Sequence, residues 1–138
     1  MRSSRQPRRR AAVTLEFAIT LPIFFLLLYA SVELGRMFTL LNTAENAAYE
    51  GARSAIVPGA TAADAVAAAS GLMQSVGTSS FNVAVDPTTI YDNTPSVEVT
   101  VSLAMAPNSY LASYFIPGQS ISRSCRLTRE LFQQTTVP

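Results

Sequence analysis

The sequence predicts an α+β fold, in which a long N-terminal helix, a second and shorter helix, and a small antiparallel β-sheet follow one another. Three observations support this. Residues 11–32 are apolar apart from one charge, Glu16. Apolar residues at spacings of three and four then continue to about residue 56, which is a helical pattern. From Phe81 onwards apolar and polar residues alternate, which is typical of strands with one buried face.

The first apolar stretch is long enough to cross a membrane. At about 1.5 Å per residue, a helix over residues 11–32 spans roughly 33 Å, and the hydrocarbon core of a bilayer is about 30 Å thick. No acidic residue precedes this stretch, but five arginines do: Arg2, Arg5, Arg8, Arg9 and Arg10. Because basic residues stay on the cytoplasmic side, we predict a single-pass protein with its N-terminus in the cytoplasm and its C-terminal part exported.

Glu16 is unusual in such a helix, because a carboxylate in lipid costs a few kcal/mol unless it finds a partner or a proton. One interpretation places it near the cytoplasmic interface, neutral or reaching towards water. The other starts from Ala11 and Ala12. If the chain were cut between them, the new α-amino group of Ala12 would lie one helical turn from Glu16, or within reach of Glu16 in a neighbouring subunit.

The N-terminal residues also carry a family resemblance. A basic head, small residues, a glutamate followed by an aromatic residue, and an apolar helix with a proline resemble type IV pilin-like precursors. More narrowly, RRRAAVTLEFAITLP followed by ELGRMF resembles the TadE-like pseudopilins of the tight-adherence (Tad) pilus system. The resemblance is specific over residues 8–59 and weak at the C-terminal ISRSCRLTRE.

This resemblance implies processing and partners. In that family a prepilin peptidase cuts on the cytoplasmic side, after a small residue five positions before the glutamate. That residue is usually Gly and is Ala11 here, so that Ala12 becomes the N-terminus and Glu16 pairs with a subunit N-terminus to set register. The implied role is that of a minor pseudopilin in the bacterial inner membrane. It would help to assemble, prime or anchor Tad pili used in adhesion and surface colonisation, with other pilin or pseudopilin subunits and the Tad assembly platform as partners.

The helix is predicted to continue through the exported part until Pro58-Gly59 ends it. Ala47, Gly51 and Ala55 form a four-residue ladder of small side chains, which lets a neighbouring helix or sheet approach closely. Glu33 and Glu50 precede Arg36 and Arg53 at i, i+3 spacing, and we interpret both as surface ion pairs.

A second helix is predicted after Thr61, which is a good N-cap with Asp64 three residues later, and Gly77 is a plausible C-cap. Strands are expected over 81–85, over 88–91 as a short candidate, from Ser96 to about Met105, and over 119–129, giving three or four in all. Tyr110, Tyr114 and Phe115 are interpreted as core residues, with an adhesive aromatic patch as the alternative.

The predicted domain organisation has five parts. They are a cytoplasmic basic leader (1–11), a transmembrane helix (12–32), an exported continuation of the long helix (33–58), a small α/β head (59–132) and a frayed tail (133–138). Without the leader, five arginines face nine acids, so the exported part has no basic surface for nucleic acid.

Composition argues against an enzyme and against a cofactor. The chain has no histidine, which is the commonest general base near neutral pH, and no glycine-rich phosphate loop. It has one cysteine, Cys125, which we interpret as a small buried hydrophobe, with an intermolecular bridge as the alternative. No metal site is expected without histidine or a cysteine cluster, and no small-molecule substrate is expected.

Two other readings of the chain stay open. A cleaved secretory signal peptide fits the basic start and the apolar run, but no small-x-small cleavage pattern follows LLLYASVELG. Alternatively, the span is only a tether, and the exported head is a binding module unrelated to pili. Such a tether would tolerate Glu16→Leu, whereas an assembling subunit should fail with that change.

Overall fold

The computed structural model describes residues 6–110 and 118–129, with side chains from Arg9 onwards. Its helices are α1 (Gln6–Ala55) and α2 (Ala62–Ser75), and its strands are β1 (Phe81–Asp86), β2 (Ser96–Ala104) and β3 (Ser120–Thr128), with a short 3-10 turn at Ala106–Asn108. The three strands form one antiparallel sheet in the order β1-β2-β3. This arrangement confirms the predicted α+β, pilin-like fold.

The chain divides into two compact units, residues 1–35 and residues 36–138. The first unit contains the N-terminal part of α1, and every described side chain from Arg9 to Val32 is exposed. Large apolar side chains such as Phe17, Ile23 and Leu26 are 57–66% exposed. Pro22 lies inside the helix.

The second unit is built on the sheet. β2 is its central strand, and the register aligns Val83, Val101 and Arg123 in one row and Val85, Val99 and Cys125 in another. The odd-numbered residues form the core face, and the even-numbered residues form what we call the outer face. On β2 the core-face side chains Val97, Val99, Val101 and Leu103 are at most 2% exposed, which confirms the predicted alternation.

Two hydrophobic clusters fill the space between the core face and the helices. The first gathers Leu40, Ala44, Ala47, Ala48, Ala69, Met73, Val101 and Leu103. The second gathers Ala52, Ala55, Ala65, Val85, Val97 and Val99. Both clusters draw alanines from the helices and larger aliphatic residues from the strands, so small helical side chains let the helix backbones lie close to the sheet.

Both ends of α2 are capped as the sequence predicts. The side chain of Thr61 accepts a hydrogen bond from the backbone N–H of Asp64, and the Asp64 carboxylate accepts one from the backbone N–H of Thr61, which is a capping box. At the other end Val76 is the cap residue, and Gly77 follows it with φ +68°. The N–H groups of Gly77 and Thr78 donate to the carbonyls of Gln74 and Met73, so the helix ends in a Schellman motif.

The candidate strand over residues 88–91 is wrong. These residues form part of the loop between β1 and β2. The Tyr91 N–H donates to the Thr94 hydroxyl, and the Thr94 N–H donates to the Tyr91 carbonyl, so a local turn takes the groups that a sheet would need. Ile90 packs against the second cluster, which explains the apolar residue that suggested a strand.

The last strand is confirmed at Ser120–Thr128. Tyr110 is 64% exposed, so its interpretation as a core residue is wrong. Tyr114 and Phe115, the predicted frayed tail over 133–138 and the first five residues of the basic leader lie outside the described residues.

Candidate functional site

The first half of α1 is the candidate site, because it combines an exposed apolar surface with one acid. From Arg9 onwards α1 is long and apolar enough to cross a membrane, as judged by length and composition. Its hydroxyl groups bond to their own helix: Thr14, Thr20 and Ser31 donate to the carbonyls of residues Arg10, Glu16 and Leu27 at 2.8–2.9 Å. Polar groups paired in this way suit an apolar surrounding.

Ala11, Ala12 and Glu16 are all exposed on this part of α1. Ala12 and Glu16 lie four residues apart, hence on one face of the helix and one turn from each other. Within the described part of the chain, the Glu16 carboxylate has no hydrogen bond or ion pair, and the Thr20 hydroxyl donates to the backbone carbonyl of Glu16. A carboxylate placed on an apolar helix surface in this way is available to a cationic group from another chain.

The small-residue ladder lies further along α1, in the second unit. Ala47 and Ala55 have no exposed surface, and Gly51 is buried between them. A methyl group added at Gly51 would lie 3.0 Å from the carbonyl oxygen of Ala65, 3.1 Å from Val99 Cγ1 and 3.2 Å from Ala69 Cβ. At this point α1 therefore meets the backbone of α2 and the side chains of β2 with no room for a larger residue.

The comparison with protein families rests on this same helix. Residues 11–53 match the family model described as TadE-like protein. Over this segment the chain is similar to TadE-like proteins. The match covers just under a third of the 138 residues and ends before α2 and the sheet. No curated protein and no solved structure matches the chain.

The TadE-like segment contains both features that the sequence singled out. Its N-terminal part holds Ala11, Ala12 and Glu16, and its C-terminal part holds Ala47 and Gly51, whereas Ala55 lies just beyond it. The match therefore rests on the apolar part of α1 and on the part of α1 that packs against α2 and the sheet, and not on the sheet itself.

Sequence reasoning missed a polar junction that begins inside the TadE-like segment. Arg36 Nε donates to the carbonyl oxygen of Asn108 at 2.9 Å, and the Arg36 guanidinium lies over the Tyr110 ring, 5.4 Å from its centre. The Asn108 side chain is 2% exposed, accepts from the Ser79 N–H, and donates to the carbonyls of Ser80 and Ala104. Such a junction ties α1 to the loops at one end of the sheet.

Arg129 forms a second junction that the sequence did not indicate. It is 8% exposed, and its guanidinium donates to the carbonyls of Tyr91 and Val57, while its N–H donates to the carbonyl of Pro95. It thus joins the end of β3 to the loop that follows α1 and to the loop before β2. No local sequence signal marks either junction, because every hydrogen-bond partner in these junctions except Ala104 lies between 28 and 72 residues away along the chain.

The two predicted ion pairs on α1 have different outcomes. Arg53 pairs with Glu50 at 3.6 Å, as expected. Glu33 is 8% exposed, so its interpretation as a surface residue is wrong, and Arg36 binds Asn108 as described. Both Arg53 and Glu50 are substantially exposed, and such a pair contributes a few tenths of a kcal/mol at most.

Cys125 is a free, half-buried thiol on the core face, and burial raises its pKa. Its side chain packs beside both hydrophobic clusters.

In the part of the chain that the structure describes, no group of three or more histidine, cysteine, aspartate or glutamate side chains could hold a metal ion.

Proposed function

We propose that this chain is a minor pseudopilin, a non-enzymatic subunit that takes part in the assembly or anchoring of a Tad-type pilus. The observation that carries the proposal is the position of the TadE-like match. It coincides with an exposed apolar helix that bears one acid, Glu16, a single turn after the small pair Ala11 and Ala12. Pili of this kind serve adhesion and surface colonisation.

The basic residues before the span support a bacterial inner-membrane location with the N-terminus in the cytoplasm. Arg8, Arg9 and Arg10 directly precede the apolar run, and no acid balances them. The positive-inside rule then directs the head, residues 59–132, to the periplasm or the cell surface. In this location the partners are a prepilin peptidase, other pilin or pseudopilin subunits and the Tad assembly platform.

Glu16 is the group that would convert a membrane anchor into an assembling subunit. After a cut between Ala11 and Ala12, a new ammonium group appears on the same helix face. Pairing between the Ala12 amine of one subunit and Glu16 of the next reduces the cost of holding each charge in lipid. Because this pairing has one geometry, it also fixes how far one helix is displaced along the other.

Cleavage is tested by the intact mass and the N-terminal sequence of the full chain extracted from its own membranes. We expect the mature protein to start at Ala12. A start near Ser31 would indicate ordinary secretion. An intact arginine-rich N-terminus in cells that still form normal fibres would instead indicate that the protein is an anchored binding module. Ala11→Gly, which restores the residue usual in the family, should be cut at least as efficiently.

The role of Glu16 is tested by Glu16→Leu, with Glu45→Leu as the matched control. Glu45 is an exposed acid on the same helix but outside the apolar stretch. We expect Glu16→Leu to insert into the membrane normally and to abolish fibre formation, and Glu45→Leu to keep it. Normal fibres with Glu16→Leu would show that the acid is not needed for assembly, and the tether reading would then replace the proposal.

A further inference from the structure

The sheet has two outer edges whose properties differ. Because β2 is central, β1 and β3 each have one edge that no strand covers among the described residues. β3 pairs with β2 over nine consecutive residues and contains neither proline nor glycine. A long regular edge of this kind offers unpaired backbone N–H and C=O groups, which is the usual template for adding a strand from another chain.

The two edge strands carry opposite charge. β1 contains one acid, Asp86, and no base, whereas β3 contains Arg123 and Arg126 and no acid. Asp86, Glu98 and Arg126 lie in one row across the outer face. Arg126 binds Glu98 through two nitrogens at 2.6 and 3.0 Å.

Asp86 is left beside an acid and without a base. It is exposed and lies directly opposite Glu98, and its carboxylate has no hydrogen bond or ion pair within residues 6–110 and 118–129. Like charges in directly opposite positions destabilise an antiparallel pair. A base approaching the free edge of β1 would therefore remove a repulsion as well as form a new ion pair.

We propose that copies of this chain associate side by side through their sheet edges, with β3 of one copy pairing with β1 of the next. β1 and β3 run in the same direction, since each is antiparallel to β2, so copies in the same orientation would meet as parallel strands. When the rows are level, Asp86 of the next copy lies beside Arg126. The acid pair Asp86 and Glu98 then has an arginine on both sides.

The other side chains that meet in this register are compatible with close approach. On the outer face, Ala84 and Asn82 of the next copy lie beside Ser124 and Ser122, which are all short. On the core face, Phe81 and Val85 of the next copy lie beside Ile121 and Cys125. Of these four residues, all except Val85 are only half-buried within one chain. The added strand therefore extends the apolar core face, on which Arg123 is a half-buried charged side chain level with Val83 of the next copy.

Pairing between two β3 edges is disfavoured by the same charges. It would place the arginines of both strands on one seam and leave Asp86 without a base. It would also turn the second copy so that its strands run in the opposite direction. In β3-to-β1 pairing every copy has the same orientation, as subunits anchored in the same bilayer require. Since this contact joins unlike surfaces, it can repeat from copy to copy, as a linear or helical array requires.

This inference rests on the proposed function only in that an assembling subunit needs contacts between copies. Its test uses the purified full chain in detergent, in a Cys125→Ser background, with Ala84→Cys and Ser124→Cys. The two introduced thiols lie two strand spacings apart within one chain, about 9.6 Å, which is too far for an internal disulfide. Across the proposed contact they are direct neighbours.

We expect copper-phenanthroline oxidation of the double variant to give a ladder of covalent multimers on a non-reducing gel. An equal mixture of the two single variants should give dimers only, and each single variant alone should stay monomeric. Thr100→Cys, on the central strand, is the matched control that should not cross-link. Dimers from Ser124→Cys alone would replace the proposal with β3-to-β3 pairing, and monomers in every sample, with the native circular dichroism spectrum, would overturn it.

A charge exchange provides the second readout. Asp86→Arg should lower the cross-linked fraction roughly fivefold or more, since an exposed ion pair is worth up to about 1 kcal/mol and a repulsion replaces it. Asp86→Arg combined with Arg126→Asp should restore it, because opposite charges then face each other across the contact again. Failure to restore it would contradict the level register. None of these results depends on cleavage at Ala11 or on Glu16, so the failure of this contact and the failure of the pilus role are separable.

Discussion

Asn108 shows how one side chain can hold a fold together without any local signal. Its amide group is buried, and it satisfies the backbone groups of Ser79, Ser80 and Ala104, while its own carbonyl oxygen accepts from Arg36. Three segments that are far apart in the chain therefore meet at a single residue. A buried polar group of this kind costs free energy when one partner is lost, because the other partners stay buried and unpaired.

Replacing Asn108 with alanine should lower the free energy of unfolding by about 2–3 kcal/mol, because it removes three hydrogen bonds between its side chain and backbone groups and leaves those groups unpaired. Thermal or denaturant unfolding of the full chain in mild detergent, followed by circular dichroism, measures this. Asn42→Ala, an exposed asparagine on α1, is the control and should change stability by less than about 0.5 kcal/mol. Equal effects of the two substitutions would contradict the structural role of Asn108.

The carboxylates of Asp64 and Glu98 make the free energy of unfolding depend on pH. The backbone N–H of Thr61, followed by its hydroxyl, lowers the pKa of Asp64. A hydrogen bond from Arg126, its positive charge, and a bond from Ser124 lower the pKa of Glu98. Each group therefore contributes stability that is fully present above its ordinary pKa, near 4, and that is lost as the pH falls through its lowered pKa in the folded state.

Stability should accordingly decline as the pH falls below about 4, and Asp64→Asn should make that decline shallower. The measurement is the unfolding midpoint of the wild type and the variant between about pH 6 and pH 2.5. Thr61→Ala removes the uncharged partner of the capping box and should cost about 1 kcal/mol at neutral pH. An identical pH profile for Asp64→Asn and the wild type would contradict the assigned role of the Asp64 carboxylate.

At the scale of elements, the contact between α1, α2 and β2 depends on the absence of side chains. Gly51 lies opposite the backbone carbonyl of Ala65, where a Cβ atom would be 3.0 Å away. Alanine in a helix is more favourable than glycine by about 1 kcal/mol, so a glycine at this position is retained at a cost. Close packing of the helices and the sheet offsets that cost.

Two glycine substitutions should therefore have opposite signs. Gly51→Ala is expected to destabilise the head by up to about 2 kcal/mol, because overpacking costs about 1–3 kcal/mol and the gain in helix propensity offsets about 1. Gly71→Ala on α2 has no atom within 4 Å of the added methyl group and should stabilise by up to about 1 kcal/mol. Unfolding midpoints of the two full-length variants decide this, and a stabilising Gly51→Ala would contradict the close approach.

At the scale of the whole molecule, the second unit contains its own core. Both hydrophobic clusters are drawn entirely from residues after Arg36, and the junctions at Asn108 and Arg129 use only Arg36 and residues after it. The exposed apolar side chains between Val13 and Val32 belong to the first unit and contribute to neither cluster. The second unit thus provides the buried core that stabilises the fold, and the first unit provides the apolar surface for a membrane.

A chain beginning at Arg36 should consequently fold without residues 1–35. We expect it to be obtained from the aqueous fraction without detergent and to show the circular dichroism of a helix and sheet mixture with cooperative unfolding. Adding Val99→Ala to this shortened chain provides the control, since it should cost about 1–3 kcal/mol by opening a cavity in the second cluster. Aggregation or non-cooperative unfolding of the shortened chain would show that residues 1–35 are part of the head.

The sequence predicted the elements whose signals are local. The apolar run of α1, the capping box at Thr61 and Asp64, and the alternation in β2 each arise from residues close together in the chain, so each was readable in advance. The same approach failed at residues 88–91. An apolar residue there suggested a strand, and only the packing of Ile90 and the turn at Thr94 showed a loop.

By itself, the sequence determined that an apolar helix carrying one acid continues into an α+β head. The spacing of apolar residues and the distribution of charge can both be read from residues that are close together in the chain. Only the tertiary structure decided which residues join the helices to the sheet. Asn108, Arg129 and Gly51 contact atoms of distant segments, and no periodic pattern records which backbone carbonyl will face a given residue. The opposite charges on the two sheet edges likewise became visible only once the strand order placed β1 and β3 on the outside.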